Sequence, residues 1–281
     1  MLKQRIITAL LLLAVLLPAV FYPAGEVFAI VAVILIAAGA WEWARMNQCD
    51  QTGSLVAGAV CAVMCLMSWY SGLLYAPLKV LWIVAGGGWV ILGAWLLYRG
   101  VGVWATVPQL LRLTGGVLAL WVAWLAVAQA RLLGINFLFS VLVLVWVADI
   151  FAYFAGRAFG GRLFARKLAP SISPGKTWEG ALGGMLGVVA CAFLWRAVDS
   201  SADLGVASIY TRLAGVNGGF MVLAAVFLAV MSVVGDLVES LFKRSAGVKD
   251  SSGLLPGHGG VLDRVDALLP ILPLAMMLGT L

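Results

Sequence analysis

The residues best suited to chemistry lie between positions 235 and 266. Asp236, Ser240 and Lys243 are spaced i, i+4, i+7, so on a helix they form one polar stripe. Asp263 and Asp266, three apart, share a face at the start of the next apolar stretch. Between the two runs a glycine-rich loop that holds Lys249, the chain's only histidine, His258, and the pair Gly259-Gly260, flanked by Lys243, Arg244 and Arg264. Two helices would thus present three carboxylates at one depth, joined by a flexible basic loop. That set suits phosphoryl chemistry. Hard carboxylate oxygens hold Mg²⁺, which takes phosphate oxygens as further ligands. Lys and Arg neutralise the remaining charge, and glycines let backbone N–H groups approach phosphates. Basic loop residues alone prove little, since salt bridges at helix ends would explain them. Acids repeated within apolar helices are harder to explain that way, and the remaining reading for them is an ion or proton pathway.

Three other places carry polar residues in unusual settings. Asp149 falls late in an apolar run, where a carboxylate is costly unless it meets a partner or a wet cavity; Arg157 lies two turns further on. Ser171, Ser173, Pro174, Gly175, Lys176 and Thr177 precede another apolar run, and Ser171, Ser173, Lys176 and nearby N–H groups could hold a phosphate at the start of a helix. The Gly175-Lys176-Thr177 triplet is not a P-loop, because the glycine required five residues before Gly175 is Pro170. Glu42, between Trp41 and Trp43 with Arg45 one turn on, reads as an interfacial carboxylate. Cys49, Cys61, Cys65 and Cys191 sit in or beside apolar segments, with no second Cys/His pair to complete a zinc site, and read as small buried hydrophobes.

The elements that must position these groups are membrane helices. Of the 281 residues 64% are hydrophobic and 11% charged, and mean hydropathy is +1.09. A soluble domain is about 25% charged, so a soluble enzyme, a disordered tail and a fibrous repeat are all excluded. Apolar segments at 6–22, 26–45, 54–75, 78–98, 114–133, 135–156, 177–197, 218–241 and 263–281 predict an all-α polytopic protein with about nine spans; Pro270 and Pro273 interrupt the last. The first reads as an uncleaved helix. With the N-terminus in the cytoplasm, fourteen of the 18 Lys and Arg fall inside, and only Lys79, Arg131, Arg196 and Arg212 outside. The net charge of +6 is therefore loop charge of a membrane protein and does not call for nucleic acid. Residues 1–135 read as a transmembrane scaffold. Residues 136–281 read as the catalytic region, with cytoplasmic loops at 157–176 and 242–262.

The stretch from Ser240 through Phe242, Lys243, Arg244, Lys249, Asp250, Ser252, Leu255, Pro256, His258, Gly259, Gly260, Val261, Asp263, Arg264 and Val265 to Asp266 resembles the full 27-residue signature of the phosphatidate cytidylyltransferase (CDP-diacylglycerol synthase) family, without departure. The Asp149 segment, the run from Ser173 to Gly180, the N-terminal Met1-Leu2-Lys3 with Arg5, and Trp41-Glu42-Trp43 are also similar to that family's pattern. The motif of the unrelated CDP-alcohol phosphotransferases is absent. The resemblance implies transfer of CMP from CTP to phosphatidic acid in a bacterial-type inner membrane, with the site facing the cytoplasm. On that reading Asp236, Asp263 and Asp266 hold Mg²⁺, for which Mn²⁺ could substitute, and a second cation is compatible with the cluster. Lys176, Lys249 and Arg264 would clamp phosphates, with Ser173, Lys243, Arg244, His258, Gly259, Gly260 and Asp149 lining the substrates. Ser240 would position phosphate or a metal-bound water. A homodimer is a resemblance-based expectation. The competing reading is a cation-coupled transporter using the intramembrane acids.

Overall fold

The computed structural model describes residues 2–202 and 204–280, all helical apart from short connections. In chain order the helices are α1 (Leu2–Phe21), α2 (Gly25–Met46), α3 (Gln51–Tyr70), α4 (Lys79–Arg99), α5 (Val101–Thr106), α6 (Gln109–Leu133), α7 (Ile135–Phe159), α8 (Trp178–Ser201), α9 (Ile209–Val216), α10 (Gly218–Ser245), α11 (Leu262–Val265) and α12 (Leu268–Gly279). Among the described residues eight of them, α1, α2, α3, α4, α6, α7, α8 and α10, are long and apolar enough to cross a membrane.

The ninth expected span is different. Residues 263–281 do not form one helix. The chain breaks after α11, where the Ala267 N–H bonds the Asp266 carboxylate at 2.7 Å instead of a helix carbonyl. Pro270 is accommodated because it falls in the first turn of α12, where no N–H partner is required. At about 1.5 Å per residue, the 12 residues of α12 reach roughly 18 Å, short of the ~30 Å hydrocarbon core. Ile271, Leu274 and Ala275 are buried, and α12 packs against α4, α6 and α10, so it fills the bundle interior and does not face lipid.

Helices α7 and α8 make the most intimate pair, meeting along Ala148, Ala152 and Gly156 on one side and Gly180 and Gly184 on the other. Small residues let membrane helices approach closely, where dispersion replaces the missing hydrophobic drive. Helix α10 then packs on α8, and α2 on α3 and α6. Cys61 and Cys65 are fully buried and free, as small hydrophobes should be.

The helix ends collect at two poles. At one pole Arg5 Nε donates to Gly257 O (2.9 Å), Trp43 Nε1 to Arg112 O (2.9 Å) and Arg244 Nε to Ile172 O (3.4 Å). At the other, Arg131 donates to Val20 O (2.6 Å) and Tyr22 O (2.7 Å), and Arg212 to Gly279 O (3.3 Å). Two of the four basic residues assigned to the sparse side thus cap carbonyls. Both polar connections are shorter than the sequence suggests. Helix α7 continues to Phe159 and α8 begins at Trp178, so Arg157 is helical and the loop is 160–177. Helix α10 continues to Ser245, so Lys243 and Arg244 are helical and the second loop is 246–261.

Candidate active site

The last turns of α10 carry Asp236, Glu239, Ser240 and Lys243 on one stripe, as the spacing requires. Ser240 Oγ donates to Asp236 Oδ1 at 3.3 Å. The other Asp236 oxygen takes an ion pair from Lys176 Nζ at 2.6 Å, reaching in from the α7–α8 loop. One residue before Asp236, Gly235 permits a close helix approach. A Cβ there would lie 2.7 Å from Asp266 O and 2.8 Å from Pro270 Cγ. That approach sets Asp236 beside Asp266. Burial, and then the Asp236 charge, push the Asp266 carboxyl up to about 7, partly offset by the Ala267 N–H.

Asp263 has another role. Its Oδ1 pairs with Lys243 Nζ at 2.6 Å. Its Oδ2 accepts from Gly260 N (2.7 Å), Ser251 N (2.9 Å) and Ser251 Oγ (2.9 Å). Burial alone would raise this carboxyl; Lys243 and the loop N–H groups outweigh it and hold it below the ordinary carboxylate range. Lys243 is shared, since it also pairs with buried Glu239. Among the described residues, no three His, Cys, Asp or Glu side chains gather as a ready metal cage. Asp266 is near enough to Asp236 to feel its charge, while the oxygens of Asp263 are engaged by Lys243 and by the loop.

A cavity of about 470 Å³ opens between α7, α8 and α10, lined by Asp149, Tyr153, Arg157, Lys176, Thr177 and Asp236 among others. Asp149 therefore faces an open cavity that also holds Lys176 and Arg157, as its position late in an apolar helix demands. Arg157 does not reach it and donates instead to Tyr153 Oη at 2.9 Å. The helix above the cavity starts one residue later than the sequence implies. Thr177 caps α8 by accepting from Gly180 N at 3.1 Å. Ser173 builds the preceding turn, donating its N–H to Ala169 O (2.8 Å) and accepting from Lys176 N (3.2 Å). The structure thus brings Asp149, Lys176 and Asp236 to one space. It leaves Lys249 and Arg244 exposed and away from the cavity lining. Arg264 folds back, with Nε and Nη2 clamping His258 O at 2.9 and 2.6 Å.

His258 is held through its carbonyl, and among the described residues its buried Nδ1 meets no partner. Among the described residues no acid pairs with its ring. His258→Gln is expected to retain activity within about tenfold of the parent with an unchanged pH–rate profile, whereas a general base would cost 10²-fold or more. Steady-state rates from pH 5.5 to 9 decide between these outcomes.

One acid escaped the sequence reading and another was misplaced by it. Glu239 lies three residues after Asp236 and four before Lys243, so its place on the stripe was available from spacing. Glu42 was not available in that way. Read as interfacial, it is in fact completely buried. Its carboxylate receives Ser252 Oγ (2.5 Å), Leu262 N (2.8 Å) and Val261 N (2.9 Å), and lies 3.2 Å from Ser251 Oγ, whose single proton it shares with Asp263; all come from a segment more than 200 residues away in sequence. Gly260 makes room for this knot, since a Cβ there would lie 2.0 Å from Ser251 Oγ and 2.5 Å from Glu42 Oε1.

An open cavity edged by carboxylates and a paired lysine, at the loop-rich pole of a membrane bundle, can receive a charged soluble molecule and a lipid headgroup together. Comparisons with known proteins bear on which. The chain matches the cytidylyltransferase family model over residues 3–281. It is 40% identical over 279 residues to a phosphatidate cytidylyltransferase of Pseudomonas aeruginosa, covering 97% of this chain and 95% of that protein. It is 34% identical over 293 aligned positions to the phosphatidate cytidylyltransferase of Haemophilus influenzae, covering 97% and 96%. With the phosphatidate cytidylyltransferase of Bacillus subtilis it shares 41% identity over 140 residues, covering 50% of this chain and 46% of that protein.

Proposed function

The chain belongs to the cytidylyltransferase family, and from that premise we propose that it makes CDP-diacylglycerol from CTP and phosphatidic acid, releasing pyrophosphate. The observation that carries the reading to this chain's own residues is the Asp149–Lys176–Asp236 cavity at the loop-rich pole of an eight-span bundle. A nucleoside triphosphate needs access from water and a two-chain lipid needs access between helices. A cavity bounded by α7, α8 and α10 at the membrane face supplies both.

In the reaction, an oxygen of the lipid phosphate forms a bond to the α-phosphorus of CTP, and the bond from that phosphorus to the α–β bridging oxygen breaks. A phosphate monoester is already anionic at pH 7, so no strong base is required. That fits His258, whose buried Nδ1 meets no partner among the described residues. Lys176 is the cation best placed to neutralise phosphate charge, because it already reaches into the cavity. Lys249 and Arg264 would join only as the loop closes over CTP. Asp236 and Asp266 would hold a divalent ion: burial first, and then the Asp236 charge, disfavour an ionised Asp266, and a cation would favour it. When bound, Mg²⁺ supplies electrostatic stabilisation of charge on the triphosphate. Asp263 keeps Lys243 and the loop in register beside it. Activity is expected to disappear with EDTA and return with Mg²⁺ or Mn²⁺. A second cation and a homodimer remain compatible with this arrangement.

The purified protein incubated with CTP and a panel of lipid phosphates tests the assignment. Pyrophosphate release dependent on phosphatidic acid is expected. Release with another lipid phosphate only would reassign the substrate, and no CTP consumption together with solute uptake in vesicles would favour a transporter.

We place the pole carrying loops 160–177 and 246–261 in the cytoplasm of a bacterial-type inner membrane, because the basic residues concentrate there. Single cysteines introduced at exposed Arg166 and Gly253 should resist an impermeant maleimide in intact cells and react after permeabilisation. Labelling from outside would reverse the orientation and remove the route for CTP.

A further inference from the structure

Glu42 stands on α2, in the half of the chain that contributes no residue to the cavity, yet among the described residues the hydrogen bonds its carboxylate receives come from the α10–α11 loop or the start of α11. Two donors are backbone N–H groups that begin a helix, which no helix carbonyl could satisfy. Two are hydroxyls. An ionised carboxylate buried in a membrane protein is expensive unless its lone pairs are filled, and charge-assisted hydrogen bonds are the means of filling them. Ser251 is the link to the reaction. Its Oγ lies 3.2 Å from Glu42 Oε2 and 2.9 Å from Asp263 Oδ2 and shares its single proton between the two carboxylates, while its N–H holds Asp263. Asp263 in turn fixes Lys243. A continuous chain of polar contacts therefore runs from α2 to the catalytic end of α10.

We propose that Glu42 is a positioning residue for the transfer reaction: it pins the Ser251–Leu262 segment and, through Ser251, sets Asp263 and Lys243 in their working places. This deepens the cytidylyl-transfer reading and rests on it. A carboxylate is required because both of its oxygens face donors. Glutamine can keep one acceptor toward Val261 N and Ser252 Oγ, but its amide nitrogen would then oppose the Leu262 N–H. Aspartate keeps both acceptors and the charge but is one methylene too short to reach all four donors.

The test uses the full-length protein in detergent or proteoliposomes, with kcat referred to folded protein. Glu42→Gln should lower kcat by about 100-fold with the KM for CTP and for phosphatidic acid changed less than about threefold, as expected for a residue that acts on the assembled site and binds neither substrate. Glu42→Asp should recover part of the rate. In a Ser251→Ala background Glu42→Gln should cost much less than it does alone, because the link is already cut. A Glu42→Gln protein with kcat within twofold of the parent, or losses that simply multiply with Ser251→Ala, would overturn the proposal. If neither Glu42 variant can be obtained folded, hydrogen exchange of the parent protein decides: Val261 and Leu262 amides should be protected far beyond that of exposed Gly253, and equal exchange would overturn the proposal. Failure of the broader reading looks different, since the parent protein would then consume no CTP with phosphatidic acid.

Discussion

Replacing Asp236 by asparagine should reduce kcat by about a thousandfold or more and leave the protein folded. Asp236 is where the loop cation, the α10 hydroxyl and the second carboxylate meet: Lys176 at 2.6 Å, Ser240 at 3.3 Å and Asp266 close enough to feel its charge. The amide keeps the shape but removes the charge that holds Lys176 and would hold a divalent ion. Loss of a metal ligand or electrostatic anchor in phosphoryl transfer costs on the order of 4 kcal/mol, which is about three powers of ten in rate. Folding should survive because a neutral amide is cheaper than a carboxylate in this setting and because Asp266 loses an unfavourable neighbour. The Asp266 carboxyl should accordingly titrate lower in the variant. Turnover at saturating CTP and phosphatidic acid, with the Mg²⁺ concentration varied, measures the effect. Near-parental turnover by a folded Asp236→Asn protein would remove Asp236 from the site. Asp263→Asn should also be severe, through a different route: it releases Lys243 and leaves one fewer acceptor for the loop N–H groups.

The second large effect is expected at Lys243, and on stability as much as on rate. Its ammonium lies between Glu239 and Asp263, both of which expose only 6% of their side chains. Lys243→Met would leave two buried carboxylates without their cation. Removing one partner of a buried ion pair costs about 3–5 kcal/mol, since the remaining charge is unpaired where water cannot reach it. That is a large share of the stability of most proteins. Thermal unfolding in a fixed detergent should show a clearly lowered midpoint and kcat should fall. Adding Glu239→Gln to Lys243→Met should not restore kcat, because Asp263 still lacks its partner. Full recovery of kcat in the double variant would mean that Lys243 serves the fold alone.

The membrane helices were legible because their signal is local. A run of about 20 apolar residues reports its own environment, and all eight long spans appear where hydropathy alone puts them. The ninth failed for a reason that hydropathy does not see. Residues 263–281 read as apolar enough for lipid, but Asp266 diverts the Ala267 N–H and splits the helix, and the bundle interior then buries α12 as it would bury any apolar surface. Helix spacing also displayed the Asp236–Ser240–Lys243 stripe, since i, i+4, i+7 is a property of one helix.

What the sequence by itself determined, then, is the class of protein, the positions of its eight long spans, the segregation of its basic residues and, through a long polar signature, its family. Each of these is written in neighbouring residues. Which acids act together was decided only by tertiary structure. Asp236, Asp263 and Asp266 look equivalent along the chain; packing at Gly235 brings Asp236 to Asp266, while Lys243 and three loop donors claim Asp263. Glu42 looks interfacial beside Arg45, but α2 and the signature loop meet across more than 200 residues and bury it. A carboxylate's role depends on which donors surround it, and in this bundle those donors arrive from elements far apart in the chain.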